Sequence, residues 1–273
     1  MKTITSIIAV LLAATAGAAW GQGSSPATSG RQVHARSQQE ADDYNAAFAA
    51  RGGAAMEKAA DDFAGVYPGS ELLPSLYTAA MRAYQAEENP ARVLLMGQKA
   101  LALDPDNTAA LVITAYVLAD NFNPADHDRS HKVDEIKKNA TRALQTMDSA
   151  YVPPAAANRD QIAAYKAALR SMAYSALGIM KLKTGDDAGA EKDLKAAAEF
   201  NRIQPDPYIW YHLALAQDHR KQYSAALHSV EQALQLASTN PELQRLAEAE
   251  HEKLLGMTSK PRRAPGSAGT SPQ

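Results

Sequence analysis

The chain has 273 residues, 46% of them apolar, with 28 Lys and Arg against 30 Asp and Glu for a net charge of -2. That balance excludes a strongly basic surface for nucleic acid or anionic membrane as the main binding face. A count of 0 cysteines excludes a disulfide scaffold, a thiol nucleophile, a cysteine-held metal and the lipid-bearing cysteine of a bacterial lipoprotein, so stability must come from buried apolar surface.

The N-terminus has the layout of an export signal. Lys2 supplies the positive charge, and residues 4–14 form an apolar run too short to serve as a permanent membrane anchor. Ala16-Gly17-Ala18 and Ala19-Trp20-Gly21 then offer the small-x-small pattern that a signal peptidase needs. Cleavage is expected before Gln22, which makes residues 1–21 a signal peptide and the mature protein periplasmic or secreted. Residues 22–38 are rich in Gly, Ser, Ala and Gln and read as a flexible linker. No later run is long and apolar enough to span a bilayer.

From residue 39 to 256 apolar residues recur at spacings of three and four, and the alternation expected of strands is absent. Prolines such as Pro68, Pro74, Pro90, Pro105, Pro153, Pro205 and Pro241 fall where helices are expected to start or stop. The first hairpin occupies about 40–70, with Tyr44, Phe48, Met56, Ala60 and Phe63 as its core. A second covers 74–107, with Tyr77, Ala80, Tyr84, an Asn89-Pro90 turn, Val93 and Ala100. The third, 108–150, carries Leu111, Ala115 and Leu118, then Ile136, Ala140, Ala143 and Leu144, interrupted by an insertion at 121–129. The fourth, 158–204, adds extra turns before Tyr174, Leu177 and Gly178, then a Thr184-Gly185-Asp186 turn and Ala190, Leu194 and Ala197. In the fifth, 207–240, Trp210, Leu213 and Ala214 precede Tyr223, Ala226, Val230 and Ala233. Residues 241–256, with Leu243, Leu246 and Leu254 among many charges, read as a helix capping the last apolar face. Residues 257–273, with Lys260, Arg262 and Arg263, read as a disordered tail.

A helix-turn-helix unit recurring about every 34 residues, with an aromatic, a Leu and small residues at fixed places, resembles the tetratricopeptide repeat family. The Tyr67-Pro68-Gly69-Ser70 ending is similar to repeats of bacterial cell-envelope assembly proteins. The resemblance implies an all-α solenoid of stacked hairpins whose first helices line a concave groove for a protein or peptide. The groove places it implies are Thr78, Arg82, Gln85, Tyr116, Ser175, Tyr208, Tyr211, His212 and Asp218. Family members that hold a C-terminal carboxylate use a lysine and asparagine clamp; here Thr78 and Arg82 stand at the first two clamp places, which argues against that role.

The search for catalytic chemistry points elsewhere than to an enzyme. His127 and His131 share the four-residue spacing of zinc-binding helices, but Asp128 replaces the metalloprotease glutamate and no third ligand is evident. A metal-dependent hydrolase on these two histidines is the least favoured alternative; a structural, self-associating repeat protein is the second reading. Neither a nucleophile elbow nor a phosphate-binding loop is present, and no cofactor is expected. His212 and His219 are expected on one helix, where structural use is favoured. Asn139-Ala140-Thr141 matches a glycosylation acceptor but falls within an expected helix.

Overall fold

The computed structural model describes residues 33–151, 153 and 157–258; the expected signal peptide, most of the linker and residues 259–273 lie outside them. Among the described residues there are eleven α-helices and no strand. The chain divides into two compact units, one ending at Asp206 and the other beginning at Pro207.

The first unit holds α1 (Gln38–Phe48), α2 (Gly53–Val66), α3 (Leu73–Ala86), α4 (Pro90–Leu103), α5 (Thr108–Asp120), α6 (Arg129–Ala150), α7 (Arg159–Lys183) and α8 (Asp187–Phe200). Short polar turns start these helices by occupying orphan backbone donors. Side chains of Ser37, Asn89, Asn107, Asn158 and Asp186 each accept from a backbone N–H in the first turn that follows. Pro90 follows Asn89 at the first helical position, where a missing N–H costs nothing.

Packing then follows the hairpins: α3 on α4, α5 on α6, α7 on α8, with α2 on α3 and α4 on α5 joining one pair to the next. Fully buried Ala60, Ala80, Ala100, Ala143, Ala173 and Ala190 bring backbones close, while Met81, Met96, Ile113, Ile136 and Leu194 fill the space between. Two helices depart from the simple hairpin. Twelve of the 13 residues of α5, Thr108 through Ala119, are buried, so this helix is covered all round. At 25 residues α7 starts well before the repeat motif, because the Asn158–Gln161 capping box opens the helix there.

The second unit holds α9 (Pro207–His219), α10 (Tyr223–Leu236) and α11 (Pro241–Thr258). Ala214, Ala226, Val230, Ala233, Ala247 and Leu254 form its core, with Trp210, Tyr211 and Tyr223 packed against it. Helix α11 buries Leu243, Ala247 and Leu254 and leaves Gln244, Arg245, Glu248 and Glu252 exposed, the polar back a terminal helix needs. The described residues are all-α, and within each unit helix hairpins pack on one another.

Candidate partner-binding surface

The nine residues singled out from the sequence fall in both units. In the first unit, Thr78, Gln85, Tyr116 and Ser175 are 7%, 6%, 6% and 2% exposed. They belong to the interior, and the expectation that they line an open wall is corrected. Helix α7 packs along α5 and covers it, taking Tyr116 and Ser175 inside. The Thr78 hydroxyl turns back and donates to Pro74 O at 2.8 Å within its own helix.

Arg82 is the one of the five that stays half-exposed. Its guanidinium donates to the hydroxyl of Tyr165, on the early turns of α7 and 83 residues away, and lies 5.5 Å from the centre of the same ring. Tyr151 packs beside Tyr165 with ring centres 5.1 Å apart, and Lys166 Nζ lies 5.8 Å from the centre of the Tyr151 ring. Burial pushes the Tyr151 hydroxyl up to about 12, so it stays protonated. Asp148 accepts from both Arg170 and Lys166, and these hydrogen bonds, Arg170's above all, hold its carboxyl below the usual range, aided by the two positive charges. Arg82 makes no ion pair among the described residues, and its Nε–H is buried without an acceptor. Tyr151 and Tyr165 escaped the sequence reading. Asn158 and Gln161, spaced as a capping box, were the available sign that α7 begins early enough to carry Tyr165 toward α3.

In the second unit, Tyr208, Tyr211 and His212 are half-buried on α9, and Tyr208 Oη accepts from Asn240 Nδ2 at 2.8 Å. Burial raises the Tyr211 hydroxyl pKa. Asp218 is 9% exposed and accepts from Lys253 Nζ at 2.5 Å, so it is committed to α11 and does not face a groove.

His127 lies exposed in the turn before α6, whereas His131 stands on that helix, so the pair shares no helical face. Among the described residues no three His, Cys, Asp or Glu side chains gather as a metal would require. Asn139 is 5% exposed, which keeps the glycosylation acceptor inside the protein. A cavity of about 400 Å³ lies among Phe122, Pro124, Arg129, Val133 and Lys183. There Lys183 Nζ donates to the carbonyls of Ala119 and Asp120, closing the C-terminus of α5.

Among solved structures the chain is similar to a thermophilic TPR protein of Thermus thermophilus, with TM-score 0.46, 15% identity and coverage of 77% of this chain and 98% of that one. It is similar also to a chain from the APC/C hetero-tetramer Cut9-Hcn1, with TM-score 0.35, 15% identity and coverage of 74% and 40%. No protein-family model and no curated protein matches the chain. At these values the solved structures say nothing of what this chain binds.

Proposed function

We propose that the chain is an exported scaffold that holds a protein or peptide, in the service of cell-envelope assembly. The observation that carries the reading is Arg82, an unneutralised guanidinium on a firmly packed helix, flanked by the aromatic pair Tyr165 and Tyr151. Arginine and tyrosine dominate binding energy at protein interfaces because they join large contact area to directional hydrogen bonds. Half-buried Tyr208 and Tyr211 present similar chemistry on α9. The signal-peptide layout of residues 1–21 supports export, with a mature chain starting at Gln22.

A photoreactive residue at half-exposed Ala83, beside Arg82, tests the reading in the native cell. It is expected to crosslink a discrete protein, in lower yield when Arg82→Ala is added. A folded, exported chain that crosslinks nothing from this position, or equally well without Arg82, ends the reading for this surface.

A further inference from the structure

Arg82 and Gln85 stand one turn apart on the same face of α3. Gln85 is 6% exposed, yet neither its Oε1 nor its Nε2 has a hydrogen-bond partner, and Arg82 Nε–H is equally unsatisfied. Buried polar groups in folded proteins are almost always paired, because an unpaired one keeps the full cost of leaving water. Two such groups side by side, one of them cationic, describe what is missing: an acceptor with negative charge for Arg82 Nε–H and Gln85 Nε2–H, and a donor for Gln85 Oε1. An Asp or Glu residue in an extended segment supplies both, the carboxylate as acceptor and the main-chain N–H as donor.

The guanidinium has a neutral occupant in place of that carboxylate. Tyr165 gives it a hydroxyl oxygen and a ring face. A phenol is a weaker acceptor for a cation than a carboxylate. Tyr165 belongs to the first turns of α7, ahead of the part with buried Met172, Ala173 and Ala176.

We propose that Tyr165 is an internal stand-in for a partner's acidic side chain: it engages Arg82 in the free protein and is displaced when a segment carrying Asp or Glu docks there, one turn from the unpaired Gln85. This rests on the reading of the chain as a protein-binding scaffold and specifies the chemistry of its partner.

The test uses the mature chain and a fluorescent hexaglutamate peptide, acetylated and amidated so that no terminal carboxylate contributes, beside its hexaglutamine counterpart. The glutamate peptide is expected to bind and the glutamine peptide not. Tyr165→Phe removes the competing hydroxyl while keeping the ring and should tighten binding about tenfold, the worth of one hydrogen bond to a charged group. Arg82→Gln should abolish binding, as should Gln85→Glu, which fills the site from within. Equal binding of both peptides, no binding of either, or glutamate binding indifferent to Tyr165→Phe and Gln85→Glu overturns the proposal. Crosslinking from Ala83 that persists in that event would leave the scaffold reading standing with a partner of other chemistry.

Discussion

The backbone N–H of Gly53, at the start of α2, donates to Oε1 of Glu87, at the end of α3, at 2.6 Å across 34 residues of sequence. The carboxylate thereby caps a helix whose own N-cap, Gly52, has no side chain and sits at φ 84, in the left-handed region that favours glycine. A Cβ on Gly53 would meet the Tyr84 ring at 2.3 Å, and the Tyr84 hydroxyl donates to Glu57 Oε2 at 2.6 Å. The first and second hairpins are thus tied by contacts about one repeat apart.

Glu87→Ala is expected to cost about 1 kcal/mol, as lost caps do. Gly53→Ala should cost more, about 2 kcal/mol, because the Tyr84 ring must move. Urea unfolding followed by far-ultraviolet circular dichroism measures both. A neutral Gly53→Ala would mean that α2 and α3 do not approach as closely as described.

Gly178 plays the corresponding part between α7 and α8, where a Cβ would lie 2.6 Å from Leu194 Cγ. Gly178→Ala is expected to destabilise by about 1–3 kcal/mol through overpacking. If the clash is the cause, adding Leu194→Ala to Gly178→Ala should cost clearly less than the two single changes summed. Additive costs in that double-mutant cycle would place the strain elsewhere.

These glycines also show what was legible beforehand. Gly178, Ala190 and Ala197 occupy motif places whose residue types encode close helix approach, so the hairpin could be read from local spacing. Asn89-Pro90 and Asn240-Pro241 likewise mark helix starts through backbone chemistry that acts within a few residues. The surface was less legible. Motif positions specify how one hairpin packs, but Thr78, Tyr116 and Ser175 are covered by helices from elsewhere in the chain, and α7 reaches Arg82 only because its start is extended. Asp218 reads as a groove residue on α9 until α11 supplies Lys253, 35 residues later. Such contacts depend on helix length and crossing, which the repeat pattern leaves open.

Asp120 gives a pH prediction. It ends α5, where the helix dipole is negative, and burial raises its carboxyl pKa against the pull of Lys183. A carboxyl with a folded pKa above its unfolded one binds protons more readily in the native state, so its ionisation removes stability as pH rises through that range. Asp120→Asn is therefore expected to stabilise the protein at pH 7 by about 0.5–1 kcal/mol. The gain should fade on acidification below the ordinary Asp range, about pH 4. Asp106 works in the opposite sense: Arg142 holds its pKa low, and the stability from that pair is lost as pH falls. Urea midpoints of wild type and Asp120→Asn at both pH values decide the matter, and an equal gain at each would contradict the assignment.

Lys253 carries the corresponding load in the second unit, where it reaches Asp218 at 2.5 Å and Glu250 at 3.1 Å, two carboxylate side chains each 9% exposed. Burial works to lower its pKa, but the bonds to Asp218 and Glu250 prevail and raise it. The stability this confers is present below the ordinary lysine pKa and is lost as pH rises through the higher folded value. Lys253→Met leaves two nearly buried carboxylates facing each other without a cation. Removing one partner of a fully buried pair costs about 3–5 kcal/mol, and the 46% exposure of the Lys253 side chain reduces the expectation here to about 1–3 kcal/mol. Trp210, packed against the core of this unit, reports the loss as a lower urea midpoint in its fluorescence. Adding Asp218→Asn and Glu250→Gln to Lys253→Met should recover part of the stability by removing the stranded charges. A triple variant no more stable than Lys253→Met alone would show that the lysine acts through its packed stem and not through its charge.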